Sequence, residues 1–104
     1  MIQYLSYTRE SVCAADDYIN RELRINLTRL NTLENLVDYI LHYHDESGYA
    51  AIPYTGGDAD WLIMDGDTPL AQVNDDGRII SFCANDPHTP LTRLNLTKLR
   101  GRRV

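Results

Sequence analysis

The sequence predicts an α+β domain. Two N-terminal helices pack on a three- to four-stranded antiparallel meander, and a short C-terminal helix or edge strand closes the chain. Three observations carry this. Apolar residues recur at helical spacing in the first half, at Val12, Ala15 and Ile19 and again from Leu33 to Tyr43. From Tyr49 onward the pattern changes to short apolar runs separated by Gly, Asn and Asp turns. The links between those runs are too short for crossovers, so the strands they join are antiparallel.

Taken in order, Ile2, Tyr4 and Leu5 form a short strand. Thr8 then caps a helix over Arg9–Asn20, with Glu10 and Ser11 in its first turn. Leu23, Ile25 and Leu27 alternate with Arg24, Asn26 and Thr28, the period of a half-buried strand. A continuing helix competes there, because Leu23, Leu27 and Leu30 also fit helical spacing. Asn31 and Glu34 read as a capping box opening a helix from about Thr32 to Glu46. Its apolar face is Leu33, Leu36, Val37, Ile40, Leu41 and Tyr43, and Gly48 ends it.

Tyr49–Tyr54 is extended and Thr55–Asp58 is a loop. Trp61–Met64 is a strand, and Asp65-Gly66 signals a type I′ hairpin. The return strand runs through Leu70 and Gln72, with Pro69 restricting its start to an edge or first-residue position. Asn74–Gly77 is a second turn, and Arg78–Cys83 completes the meander. Asp86–Pro90 breaks the chain. Leu91–Leu99 is then a short helix, capped by Thr89 with Pro90 in its first turn, or an edge strand. Residues 1–100 make a single domain, and 101–104 are a frayed basic tail. The pentapeptide Leu-Thr-Arg-Leu-Asn occurs at 27–31 and at 91–95; nothing around the two copies is alike, so the repeat reads as coincidence.

The chain has 104 residues, 43% of them apolar. That suits one packed domain that needs neither metal nor disulfide. Cys13 and Cys83, the two cysteines, read as buried core thiols. The opening residues lack the basic start and apolar run of a signal peptide, and no apolar stretch approaches ~20 residues. A cytoplasmic protein without membrane contact is expected.

Charge is the most informative feature. No Lys or Arg occurs between Leu30 and Gly77, while that stretch holds Glu34, Asp38, Asp45, Glu46, Asp58, Asp60, Asp65, Asp67, Asp75 and Asp76. After Asp86 the balance reverses: Arg93, Lys98, Arg100, Arg102 and Arg103 face no acid. The net charge is −5. Asymmetry of this kind bears on partners rather than on fold.

No catalytic, metal or cofactor motif accompanies it. His42 and His44 are two apart and do not share a helical face, so they read as favourable charges at a helix C-terminus. The Asp58–Asp67 carboxylates do not match an EF-hand loop and read as turn residues. Cys83 with His88 lacks a third group, the serines lack a nucleophile elbow, and Gly56-Gly57 is not a phosphate loop. An enzyme is not expected, and neither is a cofactor.

A small acidic protein-binding module is expected instead. Tyr and Trp are the residues of binding hot spots, and Tyr49, Tyr54 and Trp61 flank the Gly-Gly loop as exposed candidates. With Asp58, Asp60, Asp65, Asp67, Asp75 and Asp76 they would form a surface docking on the basic patch of a protein partner. If that patch binds nucleic acid, the protein is an inhibitor; immunity proteins and phage-encoded inhibitors work by such charge. The alternative is a nucleic-acid-associated regulatory or accessory protein, with Arg93, Lys98, Arg100, Arg102 and Arg103 touching phosphates. A homodimer through the Leu70–Val73 edge or the Leu-rich C-terminal segment is compatible with the pattern.

Overall fold

In a computed structural model, residues 3–10 and 21–104 are described. Seven elements follow one another: β1 (Tyr4–Arg9), β2 (Leu23–Asn26), α1 (Leu33–Leu41), β3 (Asp60–Asp65), β4 (Thr68–Asn74), β5 (Arg78–Phe82) and β6 (Leu99–Arg103). The strands form one sheet in the order β2-β1-β6-β3-β4-β5. Every neighbouring pair is antiparallel except β1 and β6, which run parallel. The expected architecture is therefore corrected: among the described residues there is one helix on a six-stranded mixed sheet, not two helices on a three- to four-stranded meander. The expected Arg9–Asn20 helix lies outside the described residues from Ser11 onward, and Arg9 itself ends β1. Thr8, expected as a helix cap, is a strand residue paired with Arg100.

The β3-β4-β5 meander exists but supplies only part of the sheet. Asp65 pairs with Thr68, so Gly66 and Asp67 form the two-residue loop. Gly66 has φ +58° and among the described residues no non-glycine residue has positive φ. A type I′ turn needs positive φ at both loop positions, so glycine leading is the II′ pattern. Pro69 sits where β4 is flanked by β3 alone, since pairing with β5 begins at Ala71. Leu70–Val73 is accordingly not an edge. β5 lies beyond it, which removes that segment as a dimer surface.

The largest departure is at the C-terminus. Residues 101–103, expected as a frayed tail, are the second half of β6, paired with β3 throughout and with β1 at Gly101. The Val104 amide donates to the Asp60 carbonyl at 3.0 Å. Leu91–Arg93 is a short 3-10 turn following Pro90, without the expected Thr89 side-chain cap.

One face of the sheet carries the core. Strand alternation directs Leu23 and Ile25, Leu5 and Tyr7, Leu99 and Gly101, Trp61 and Ile63, and Ala71 and Val73 to this side, as their cross-strand pairing requires. α1 lays Leu33, Leu36, Val37, Ile40 and Leu41 against them in a single cluster with Ala51 and Ile52. The capping box is shifted by one residue: Thr32 Oγ1 accepts from the Asn35 amide and Asn35 Oδ1 accepts from the Thr32 amide, each at 3.2 Å. The helix stops at Leu41 rather than Glu46: the His42 and Tyr43 amides still reach back to Asp38 and Ile40, but from Asp45 the amides have other partners. Asp45 donates its amide to the Tyr49 carbonyl, and its carboxylate accepts from the Ser47 and Tyr49 amides.

The Leu-Thr-Arg-Leu-Asn repeat has a structural counterpart. In each copy the second leucine donates its amide to the carbonyl of the first, Leu30 to Leu27 and Leu94 to Leu91, both at 3.0 Å. The four leucines line one cavity between the copies. The same five residues close the same i to i+3 backbone hydrogen bond twice, in a turn at 27–30 and in the 3-10 turn at 91–94.

Candidate functional site

The ten carboxylates do not share one surface. Asp60 and Asp65 stand at opposite ends of β3, a separation of about 17 Å at ~3.3 Å per residue. Several are spent inside the fold. Asp60 accepts from the amides of Gln72 (2.8 Å) and Asn74 (2.9 Å). Asp65 Oδ1 accepts from the backbone amides of Thr97 and Lys98, steering the chain into β6. Asp75 is buried; its Oδ2 accepts from the Thr55 amide (2.6 Å) and hydroxyl (2.7 Å), tying the Gly-Gly loop to the β4-β5 turn. Asp76 pairs with Arg78 at 2.8 Å.

The aromatic candidates divide three ways. Trp61, expected at the surface, is 0% exposed in the core, because it lies on the helix-facing side of a strand flanked by β4 and β6. Tyr49 is half-buried, with the Arg9 and Arg21 guanidinium groups 4.2 and 5.2 Å from its ring centre. Tyr54 is 70% exposed. It stands beside Gly57 on the loop that Asp75 pins, next to the exposed Asp58. The 75–77 turn abuts the end of α1, where His42 Nδ1 lies 2.9 Å from the Asp38 carbonyl oxygen and 3.4 Å from its carboxylate.

Two carboxyls are tuned by these contacts. The Ser47 hydroxyl hydrogen-bonds Asp45 against an opposing partial desolvation. With help from the Tyr49 amide, Arg21 and the Ser47 amide it lowers that carboxyl to about 2. At Asp75 burial disfavours charge, but hydrogen bonds from Thr55, Gly57 and Ala59 outweigh it and the carboxyl lies below its ordinary range. A depressed folded-state pKa adds stability that is present above the unfolded value of about 3.9 and is lost as pH falls through the folded value. The Asp45→Asn protein is expected to lose urea stability at neutral pH and to show a flatter acid limb between about pH 4 and about pH 2. Urea midpoints measured across that window check this; an unchanged acid limb would mean Asp45 does not couple to folding.

The basic residues are also redistributed. Arg93 lies in the 3-10 turn. Arg103 points to the helix side, its guanidinium 5.9 Å from the Trp61 ring centre. Arg100 and Arg102 alternate to the opposite side of β6, where their cross-strand neighbours are Met64 and Leu62. Arg24 joins them on the same side through β1, and Lys98, just before β6, lines a cavity with Arg100. Arg24 and Tyr4 were not singled out in the sequence. The signal was the alternation itself, which places Tyr4, Ser6 and Thr8 away from the core once β1 extends to Arg9.

Cys83, expected in the core, is an exposed free thiol just beyond the end of β5. Cys13 lies outside the described residues. Among the described residues no group of three His, Cys, Asp or Glu side chains is placed to hold a metal ion, and no helix is long and apolar enough to cross a membrane. Compared with protein-family models, curated proteins and solved structures, the chain finds no match.

Proposed function

We propose that this protein is a non-catalytic protein-binding module that docks through the end of the molecule formed by the 54–58 loop, the 75–77 turn and the end of α1. The observation that carries the reading is Tyr54: a large side chain, 70% exposed, on a loop anchored at Thr55 by a buried carboxylate. An exposed aromatic on a pinned loop is ordered before binding, which lowers the entropic cost of contact. Asp58 on the same loop and Asp38 near the end of α1 are exposed carboxylates, suiting a partner with a basic rim. Where that partner surface binds nucleic acid, occupancy would make the protein an inhibitor. The surface is smaller than the one expected from sequence, because Asp60, Asp65 and Asp75 serve the fold.

The test is capture of partners from a nuclease-treated lysate by the wild-type chain and by Tyr54→Ala/Asp58→Asn. A protein retained by the first, lost by the second and released by salt is the expected result. Equal retention by both would overturn the reading. Deleting Lys98–Val104 is not a usable control, since it removes the central strand β6. The alternative, a nucleic-acid-associated accessory protein, is favoured by a different observation on the open side of the sheet.

A further inference from the structure

The side of the sheet opposite α1 collects cations in an acidic protein. Arg100 and Arg102 stand at alternate positions along β6, about 6.6 Å apart at the rise of a strand, and Lys98, just before β6, lines the same cavity as Arg100. Arg24 projects to the same side from β2. Lys98, Arg102 and Arg24 are exposed and Arg100 is half-exposed. The ion pairs formed among the described residues are Arg21–Asp45, His42–Asp38 and Arg78–Asp76; none involves these four. Holding four unpaired like charges on one face costs self-repulsion, which a bound polyanion would relieve. Asp60 on this face is committed to Gln72 and Asn74, and Glu10 and Asp67 line one cavity together with Lys98 and Arg100 without an ion pair to either.

Geometry selects among polyanions. A duplex major groove is about 12 Å wide and admits a helix or a two-stranded ribbon. Here Arg100 and Arg102 sit in the middle of a six-stranded sheet about 24 Å across, at ~4.8 Å per strand, with Arg24 on its edge strand β2, so the set does not enter a groove. A flat platform instead suits an extended single strand, whose phosphates follow a row of cations and whose bases lie on the sheet. Tyr4 supplies an aromatic at the border of the row. It is 44% exposed, with the Arg24 guanidinium 4.8 Å from its ring centre. Thr8, Ser6 and Gln72 on the same face add hydrogen-bonding groups without charge.

We infer that this open sheet face binds the phosphate backbone of single-stranded nucleic acid through Arg24, Lys98, Arg100 and Arg102. The inference is independent of the Tyr54 docking end and would survive its failure.

The experiment is fluorescence anisotropy of the full chain with a labelled oligothymidylate of about 20 nucleotides, longer than one binding platform needs. Four phosphate contacts predict a slope of about −3 in log K against log salt. Arg100→Gln/Arg102→Gln is expected to bind roughly tenfold or more weakly and to halve that slope. Arg29→Gln/Arg93→Gln removes the same charge from exposed sites off this face and is expected to leave binding unchanged. Circular dichroism melts of each variant separate lost binding from lost folding; if the Arg100/Arg102 pair does not fold, Arg24→Gln with Lys98→Gln replaces it. No binding by folded wild type at low salt would overturn the inference, as would equal weakening by the Arg29/Arg93 control. Tighter binding to a duplex, to phosphatidylserine vesicles or to a second copy of the chain would overturn the commitment to a single strand.

Discussion

Replacing Gly101 with alanine is expected to destabilise the protein by about 3 kcal/mol or more, the upper end of what overpacking costs. An added Cβ would land on the hydroxyl of Tyr7 and lie 3.2 Å from the ring carbon that bears it. Neither atom is free to withdraw. Tyr7 is 0% exposed, and its hydroxyl donates to the Ala51 carbonyl at 2.6 Å, closing the segment after α1 onto the sheet. Burial also pushes the phenol well above its usual range, so it stays a neutral donor. Tyr7→Phe alone leaves the Ala51 carbonyl without this partner, a loss of about 1–3 kcal/mol. In the double variant the main clash disappears, and its cost should fall short of the sum of the singles by about 1 kcal/mol or more. Urea denaturation of the four proteins measures the cycle. Simple additivity would mean that Tyr7 is not what excludes a side chain at position 101.

Trp61→Ala should cost about 3–5 kcal/mol, the range for emptying a fully buried large aromatic site. Its ring is walled by strands on both sides, and the Arg103 guanidinium covers its outer end. Trp61→Phe should cost much less. Among the described residues the buried indole Nε1 has no hydrogen-bond partner, so phenylalanine removes volume without orphaning any of their groups. As the sole tryptophan, Trp61 also reports on its own environment: emission shifts to the red on unfolding in the wild type. Trp61→Ala is measured by circular dichroism instead. A Trp61→Ala protein as stable as wild type, yet defective in partner capture, would return this residue to the surface role first expected of it.

The amphipathic stretches were legible in the sequence. Leu33–Leu41 shows its five inward positions by spacing alone, and β2 shows Leu23 and Ile25 by alternation. In both, a residue's own apolar character states which way it faces. The Asn-Asp-Asp-Gly and Asp-Gly turns were legible for a related reason, since few residues suit such turns and glycine supplies the positive φ at Gly66 and Gly77. The candidate site was legible only at Tyr54 and Asp58. A count of carboxylates carries no information about which of them the backbone will use, and hydrogen-bond partners as distant in sequence as Asp65 and Lys98 leave no local trace.

By itself, then, the sequence determined the helix, the three-stranded meander and the segregation of charge into an acidic middle and a basic end. These rest on interactions between residues a few positions apart. Tertiary structure alone decided that Leu99–Arg103 is a central strand and that Arg100 and Arg102 share one open face with Arg24 while Arg103 turns to the helix side. Leu-Arg-Gly-Arg-Arg has one apolar residue and poor strand propensity. It becomes a strand because β3 pairs with it along its whole length and β1 from Leu99 to Gly101, and because the volume missing at Gly101 is filled by Tyr7 from a neighbouring strand more than ninety residues away.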